Sequence, residues 1–329
     1  MATANFAAIR QALPDARITL AMKPGRSKVV EGSEDFDAIV TDRSLGSPWA
    51  LWRFARELRC QRFDLALLFS NSFRVALIAS LAGIPRRVGY RRNGRSLLLT
   101  DPVGYERDGK KRRPIPMPLF YDKVCRQVGI AMDDPWPRLT VTEPCEKRAA
   151  EYRARFGIGD GEPLVGLNPG ASFGASKLWP AEHFAETADA LHRQHGLRSV
   201  ILVGPGEEEI GRQIEARMET PVINTADDIL PLDVLKAIVR DLKLLLSTDT
   251  GPRHYAVAFR TPVLTVMGPT DPRYSGINLD YSDVVRHDVP CGPCHLKQCP
   301  IDHKCMVEIS PAEVLARVAE LDRRLGIFA

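Results

Sequence analysis

The chain has 329 residues and a net charge of +4 at pH 7, with 44% hydrophobic and 26% charged residues, which is an ordinary soluble composition. This length accommodates two domains of common size. No apolar run approaches the ~18 residues of a membrane-spanning helix, and the start lacks the basic segment and apolar core of a signal peptide, so the sequence favours a cytoplasmic protein.

Hydrophobic spacing in the first half of the chain predicts alternating helices and strands. The predicted elements are a helix over residues 5–13, strands over 17–22 and 64–69, and a helix over 73–82. An α/β domain that opens on a helix is unusual, because such domains ordinarily begin with a strand of the central sheet.

A basic stretch follows between Arg86 and Arg113, where ten Lys and Arg stand against three acids. The rest of the chain is therefore net negative, and the positive charge is concentrated. Gly and Pro punctuate the stretch, which predicts loops, and arginine forks on loops suit phosphate groups. Two alternatives are a solvated basic loop and a nucleic-acid surface. The second is the least favoured, since Tyr90 and Tyr105 are the stretch's aromatic residues available for base stacking. Its basic residues are Arg86, Arg87, Arg91, Arg92, Arg95, Arg107, Lys110, Lys111, Arg112 and Arg113.

The second half repeats a strand, loop and helix pattern that is typical of a parallel sheet. The predicted strands are residues 164–167, 200–203, 244–247 and 263–267, and the last predicted helix is residues 311–325. Pro180 suits the first turn of the helix that follows the first of these strands. We expect the domain boundary within residues 144–161.

Three loops in this half follow strands and carry polar groups suited to a nucleotide, at residues 168–180, 204–209 and 247–254. In the last loop we expect Asp249 to cap the next helix, and Thr250 and Gly251 to present backbone N–H groups to an anion. His254 lies one helical turn beyond Thr250. A capped helix with a surface histidine is the alternative. Loops that leave one edge of a parallel sheet share a crevice, where open α/β sheets bind ligands.

Four of the seven cysteines lie close together in a Cys-rich segment, residues 291–305, near His295 and His303. Cys291 and Cys294 have the spacing of a structural zinc site, but Cys299 and Cys305 are more widely separated than a second zinc pair usually is. Packing thiols, a structural zinc clip and disulfides remain open alternatives.

Several of these segments together resemble glycosyltransferase family 9, the ADP-heptose:lipopolysaccharide heptosyltransferases, and most closely the heptosyltransferase II type. The likeness runs over nearly the whole chain. Its most specific segments are Asn71-Ser-Phe-Arg74, Ile84-Pro-Arg-Arg-Val-Gly-Tyr90, Pro169-Gly-Ala, Lys177-Leu-Trp-Pro180, Asp249-Thr-Gly with His254, and Gly268-Pro-Thr-Asp271.

The resemblance implies a GT-B fold, in which two Rossmann-like domains with parallel sheets face an interdomain cleft. Residues 1–150 would be the acceptor-binding domain, and residues 151–329 the nucleotide-sugar-binding domain with the Cys-rich segment. The implied reaction is an inverting transfer of heptose from ADP-heptose to the heptosyl-Kdo-lipid A core at the inner membrane surface. Such transfer requires no metal cofactor, and no nucleic-acid partner is expected.

The resemblance also suggests roles for individual residues. Lys177 and Asp249 are the catalytic candidates, with Lys177 as the cation that stabilises the departing diphosphate. Expected donor-binding residues are Ser172, Lys177, Glu208, Asp249, Thr250, Gly251 and His254, where Glu208 would hold the ribose. Expected acceptor-binding residues are Asn71, Arg74, Arg86, Arg87, Arg91 and Arg92.

One expected feature has no match in the chain. Family members carry a first strand and a Gly-Asp loop whose aspartate is the presumed general base, just ahead of a segment like Met1-Ala-Thr-Ala. General bases are typically worth ~10²- to 10⁴-fold in rate. A start placed too late would explain why both are missing, and without them activity of the chain is in doubt. The alternatives are a non-catalytic nucleotide-sugar or lipid A binder, a transferase that uses another nucleotide sugar, and a dehydrogenase-like protein. The last lacks the expected Gly-x-Gly-x-x-Gly after a strand.

Overall fold

The computed structural model describes residues 1–44, 46–109 and 111–329, and for Lys111 the backbone alone. Lys110 and the side chain of Lys111, both in the basic stretch, lie outside the described residues. The chain divides into two compact units. Unit 1 comprises Met1–Pro137 with Arg273–Ser275, and unit 2 comprises Arg138–Pro272 with Gly276–Ala329.

Helices and strands alternate along most of the chain. The α-helices are α1 Thr3–Ala12, α2 Ser27–Val30, α3 Pro48–Cys60, α4 Phe73–Leu81, α5 Met117–Arg126, α6 Glu143–Arg155, α7 Ala181–His195, α8 Glu208–Glu215, α9 Leu232–Arg240, α10 Gly251–Phe259, α11 Lys304–Val307 and α12 Pro311–Leu325. The strands are β1 Thr19–Met22, β2 Ala38–Thr41, β3 Leu65–Leu68, β4 Arg86–Tyr90, β5 Asp101–Val103, β6 Arg107–Asp108, β7 Lys111–Arg112, β8 Leu164–Asn168, β9 Arg198–Ile201, β10 Val222–Asn224, β11 Leu244–Thr248, β12 Val263–Val266 and β13 Ser282–Val285. Short 3₁₀ turns occur at Arg95–Leu98, Ala175–Lys177 and Pro272–Tyr274.

In unit 1 the parallel strands form two separate sheets, one of β1 and β2 and one in the order β3-β4-β5. Helices pack on both faces of β3. Leu68 packs with α3 and α4, whereas Leu67 and Phe69 pack with α1 and α5. β6 and β7 form a short antiparallel hairpin.

Unit 2 contains one parallel sheet of six strands in the order β10-β9-β8-β11-β12-β13. In chain order this is the doubly wound arrangement, which starts in the middle at β8, runs outward to β10, and then returns to β11 on the other side. The strands are buried along most of their length, as β-branched and leucine-rich runs covered by helices on both faces should be.

Trp179 lies in the hydrophobic core of unit 2, and its side chain is fully buried. Its indole Nε1 donates to the carbonyl oxygen of Ile309 at 2.9 Å. Its ring packs edge-on against Phe184 of α7. Trp179 therefore anchors the end of the loop that joins β8 to α7.

The fold class predicted from the sequence, α/β with parallel sheets, is confirmed. The predicted helices over residues 5–13, 73–82 and 311–325 correspond to α1, α4 and α12, and the six predicted strands correspond to β1, β3, β8, β9, β11 and β12. Among the described helices, none is both long and apolar enough to cross a membrane.

Two local predictions were wrong. The basic stretch is not made of loops throughout, because Arg86–Tyr90 is the middle strand of the three-stranded sheet and Asp101–Val103 is its edge. Pro180 is the residue before α7 rather than its first residue.

The first unit ends at Pro137, ahead of the segment 144–161 in which the boundary was expected. The reason is α6, which packs on α9 of unit 2. Cys145 donates from its thiol to the carbonyl of Asp233, and Arg148 pairs with the Asp233 carboxylate.

Candidate functional site

The candidate site lies in unit 2 where β8 and β11 run side by side. Ser247 of β11 is in register with Asn168 of β8, so the two strands end at the same level. The chain leaves these strands toward opposite halves of the sheet, which makes this the topological switch point where doubly wound sheets bind ligands.

Asn168 ties three strand ends together at this point. Its side-chain Nδ2 donates to the carbonyl of Leu202 at 2.9 Å, and its Oδ1 accepts from Ser247 Oγ at 3.1 Å and from Thr250 Oγ1 at 2.7 Å. The side chain is buried and its hydrogen-bonding groups are satisfied. Asn168 is not among the residues predicted from the sequence. A polar residue that ends an apolar strand just before Pro-Gly was the available signal.

The loop after β8 brings Lys177 against Asp249 in the loop after β11. Lys177 Nζ donates to the Asp249 carboxylate Oδ2 and to its backbone carbonyl, both at 2.7 Å. The ammonium also lies 5.1 Å from the centroid of the Phe173 ring. The structure thus joins the two catalytic candidates, which are 72 residues apart in sequence.

Asp249 is held ionised by a second cation that sequence analysis missed. Arg253, fully buried one turn along α10, places Nη1 2.9 Å from Asp249 Oδ1, and Thr270 Oγ1 donates to Oδ2 at 2.8 Å. Burial opposes ionisation of Asp249, but the charges of Arg253 and Lys177 and the hydrogen bonds outweigh it, so the pKa of Asp249 lies well below its usual range. Two cations share one carboxylate, which leaves a net positive charge suited to an anion.

The start of α10 differs from the sequence prediction in two respects. The N-cap is Thr250, not Asp249, whose carboxylate instead pairs with Lys177 and Arg253. The N–H of Thr250 donates to the carbonyl of Thr248 at 2.8 Å and is therefore committed within the turn. Gly251 is exposed, a side chain there would meet open space, and its N–H belongs to the first turn of the helix, which has no intrahelical partners.

His254 lies on α10 next to Arg253 and is half-buried. Burial and the neighbouring Arg253 charge lower the pKa of His254 well below its usual value. The side chain is therefore a neutral imidazole at physiological pH, which can exchange hydrogen bonds with a phosphate but adds no charge.

The predicted loop at residues 204–209 meets the loop at residues 168–180 through Glu207. A Cβ on Gly170 would lie 1.9 Å from the Glu207 carboxylate, so a side chain at position 170 would displace that carboxylate. Glu207 also accepts from the N–H of Gly204 at 2.9 Å. Glu208, the ribose candidate, begins α8 and accepts from the N–H of Gly206 at 3.1 Å. Ser172 is exposed on the turn that precedes Lys177.

Unit 1 carries the predicted acceptor-binding residues near the carboxyl end of β3 and around β4. Asn71 accepts from the guanidinium of Arg95 at 3.2 Å through its side-chain oxygen. Arg74 forms an ion pair with Asp42 at 2.5 Å. Arg95 is itself fully buried, with Nε donating to the carbonyl of Tyr90, so it holds the fold and is not the surface phosphate ligand that the basic stretch suggested.

The four remaining arginines of this set differ in how their guanidinium groups are used. Arg86 pairs with Asp101 at 3.1 Å, and Arg87 donates to the carbonyls of Leu98 and Ile84. Arg91 and Arg92 are exposed, and within the described residues neither side chain makes a hydrogen bond or an ion pair. These two are the arginines of the set whose charge is directed to solvent.

The Cys-rich segment holds its four cysteines as free thiols. Cys305 is buried, and burial together with the thiols of Cys291, Cys294 and Cys299 raises its pKa. Across the described residues, no group of three or more His, Cys, Asp or Glu side chains is arranged to hold a metal ion.

Comparisons with known proteins identify relatives over most of the chain. The sequence profile described as glycosyltransferase family 9 (heptosyltransferase) matches residues 51–305. A lipopolysaccharide heptosyltransferase 2 of Escherichia coli K12 is 28% identical over 284 residues, which are 82% of this chain and 78% of that protein.

Solved structures share the fold. The E. coli ADP-heptose lipopolysaccharide heptosyltransferase II matches with a TM-score of 0.77 and 24% identity, covering 97% of this chain and 93% of that one. A family 9 glycosyltransferase of Veillonella parvula matches with a TM-score of 0.80 and 22% identity, covering 97% and 92%. The α/β architecture is thus that of family 9 structures of the GT-B type.

Proposed function

The chain belongs to glycosyltransferase family 9, the heptosyltransferases, and we propose that it transfers heptose from ADP-heptose to the inner core of lipopolysaccharide. The observation that carries this proposal is the meeting of Lys177, Asp249 and the start of α10 at the switch point of unit 2. The naming of its relatives as lipopolysaccharide heptosyltransferases 2 supports heptose as the sugar and lipopolysaccharide as the product. We propose the heptosyl-Kdo-lipid A core as the acceptor.

The donor side of the reaction needs a group that stabilises the leaving diphosphate. As the bond between the anomeric carbon and ADP breaks, negative charge grows on the phosphate oxygens, and preorganised donors stabilise that charge more than the ground state. Lys177 supplies the cation, and Gly251 supplies a backbone N–H at the positive end of a helix dipole. Asp249 orients the ammonium, while Arg253 keeps Asp249 ionised and thus able to do so.

Hydroxyl and carboxyl groups on the loops would contact the ribose and the sugar. Ser172 and Thr250 present hydroxyl groups on the two loops, although Thr250 already donates to Asn168. For the ribose, Glu208 and Glu207 lie side by side, and we propose Glu208 because the Glu207 carboxylate is turned toward Gly170. His254 would contact a phosphate as a neutral donor.

Unit 1 would bind the phosphorylated acceptor. Arg91 and Arg92 are exposed with their guanidinium groups available for phosphate oxygens, which they can grip in pairs. Asn71 and Arg74 stand near the start of α4, where polar groups could meet the core sugars.

Because the acceptor is lipid-linked, we propose that the protein works in the cytoplasm as a peripheral protein at the inner membrane surface. Helix α3 supports this. Trp49 and Trp52 are 64% and 43% exposed with their rings stacked 5.0 Å apart, and Arg53 and Arg56 are exposed beside them. Tryptophan and arginine on one helix suit the interface of an anionic bilayer.

We propose that transfer requires no metal. The charge on Lys177 and the helix terminus does the work that a divalent cation would otherwise do. Whether the Cys-rich segment holds a structural zinc is a separate question, and zinc analysis of protein purified without chelator decides it, since about one zinc per chain would show that the thiols bind metal.

A heptose-transfer assay tests the function. The natural full-length protein is mixed with ADP-heptose and heptosyl-Kdo-lipid A in the presence of EDTA. We expect ADP release and an acceptor heavier by one heptose. Transfer from another nucleotide sugar but not from ADP-heptose would show that the donor is wrong. Binding of ADP-heptose without transfer to any core acceptor would make the protein a binder.

A further inference from the structure

The Cys-rich segment packs directly on the loop that carries Lys177. His303 Nε2 donates to the carbonyl oxygen of Ser176 at 2.7 Å. Ser176 returns two hydrogen bonds, from its N–H to the carbonyl of Lys297 at 3.1 Å and from its Oγ to the carbonyl of Leu296 at 2.5 Å. Every hydrogen-bonding group of Ser176 is therefore engaged by this segment.

Ser176 immediately precedes Lys177, so these three bonds fix the backbone at the candidate cation. The residues Ala175–Lys177 form a single 3₁₀ turn, which is too short to hold its own geometry. Ser176 is 2% exposed, so its hydrogen bonds are made to protein groups. The position of the Lys177 side chain consequently depends on a segment more than 100 residues away in sequence.

Gly174 shows how closely the two segments approach. Its φ is +153°, and a Cβ there would lie 2.3 Å from the carbonyl oxygen of Lys297. Any side chain at position 174 would push the Lys177 loop off the Cys-rich segment. The contact is thus built into the backbone of both partners.

The Cys-rich segment is in turn anchored in the core of unit 2. Cys305 and Met306 are buried, and a Cβ on Gly268, just after β12, would lie 2.7 Å from each of their sulfur atoms. His303 stands two residues before Cys305 in the left-handed region, with φ +55°. The buried residues Cys305 and Met306, packed against the end of β12, therefore anchor the His303 ring beside the loop after β8.

We infer that the Cys-rich segment positions Lys177 for the donor diphosphate, and that His303 is its principal positioning residue. The inference rests on the proposed donor site and gives a role to a segment that the proposed transfer does not otherwise use. The acceptor of the His303 bond is a carbonyl, so Nε2 carries the hydrogen, and both the neutral and the protonated ring can donate it.

The first test needs no ligand. Hydrogen exchange of the peptide covering residues 174–178 is compared in the unchanged protein and in His303→Ala, His303→Gln and Leu296→Ala. Glutamine can place a donor where Nε2 lies, and Leu296→Ala changes an exposed side chain while leaving its carbonyl in place. We expect about fivefold faster exchange in His303→Ala only, the effect of losing one hydrogen bond. Equal exchange in all four proteins would overturn the inference.

The second test links the segment to Lys177 by a double-mutant cycle on ADP affinity, measured by calorimetry. His303→Ala should weaken ADP binding about fivefold in the unchanged background and not at all when Lys177→Met is already present. The same loss in both backgrounds would show that His303 acts independently of Lys177 and would refute the proposed role. Absence of ADP binding by the unchanged protein would instead refute the proposed function, while the exchange experiment would still decide the positioning.

Discussion

Replacing Lys177 with methionine removes the ammonium while nearly preserving side-chain volume, and it isolates the charge that the proposed mechanism needs. Asp249 would keep Arg253 Nη1 at 2.9 Å and Thr270 Oγ1 at 2.8 Å. The carboxylate therefore does not become an orphaned buried charge, whose cost is about 3–5 kcal/mol. We expect the free energy of unfolding to fall by about 1.5–3 kcal/mol, the value of a charge-assisted hydrogen bond.

The functional loss should be larger and should follow the charge. Lys177→Met neutralises the net positive charge that Lys177 and Arg253 leave beside Asp249. Losing a charge-assisted hydrogen bond of about 1.5–3 kcal/mol weakens ADP binding roughly 10- to 150-fold. Turnover should fall by about 10²- to 10³-fold, because the charge on the diphosphate is greatest in the transition state.

Calorimetry with ADP and a heptose-transfer assay measure these two quantities, and thermal unfolding checks the fold. Lys243→Ala is the matched control, since Lys243 is an exposed lysine next to the opposite, amino end of β11. Lys177→Met with the ADP affinity and turnover of the control would remove Lys177 from the site. Weaker ADP binding with unchanged turnover at saturating ADP-heptose would show that Lys177 holds the ground state without favouring the transition state.

Three further predictions concern the charge, the histidine and the membrane surface. Asp249→Asn removes the carboxylate that orients Lys177 but leaves both cations. Turnover should therefore fall about tenfold or more while ADP binds no more weakly. A loss of ADP affinity as large as that of Lys177→Met would contradict this prediction. Because the folded state lowers the pKa of His254, the unfolded chain binds a proton there that the folded chain does not, and stability is lost as pH falls below about 6.5. Between about pH 7.5 and 5.5, the free energy of unfolding measured with urea should therefore fall by about 1 kcal/mol less in His254→Gln than in the unchanged protein. The same dependence on pH in both proteins would refute the lowered pKa of His254. Replacing Trp49 and Trp52 with alanine should reduce sedimentation with anionic vesicles about tenfold, whereas Leu279→Ala, which is similarly exposed in unit 2, should not, and unchanged binding would remove α3 from the membrane surface.

Much of the fold was predictable because the strands of unit 2 are apolar runs bounded by turn residues. β8, β11 and β12 are buried on both faces, so their hydrophobicity is continuous and their ends are marked by Asn168, Asp249 and Gly268. The short strands β10 and β13 were not predicted. Both lie at the edges of the sheet, where pairing with a neighbour decides the structure more than composition does.

The loops of the candidate site were predictable, but the ion pairs and hydrogen bonds between them were not. Lys177 and Asp249 were both predicted, but Asp249 was predicted as an N-cap, because a helix start is local information and an ion pair across 72 residues is not. Arg253 was missed for the same reason, since an arginine in the first turn of a helix gives no sign of being fully buried. The hold of His303 on Ser176 depends wholly on tertiary structure.

The basic stretch shows the limit of counting charges. Arg86, Arg91 and Arg95 contribute equally to the net charge, but one pairs with Asp101, one faces solvent and one is buried among backbone carbonyls. Charge density predicted an anion-binding surface, and the structure narrows it to the residues whose guanidinium groups are exposed and unpaired.

The central claim is that the nucleotide binds at the switch point of unit 2, and a crystal structure with ADP tests it most directly. We predict diphosphate oxygens about 3 Å from Lys177 Nζ and from the N–H of Gly251. ADP bound away from the ends of β8 and β11, or with its diphosphate out of reach of Lys177, would contradict the proposed donor site.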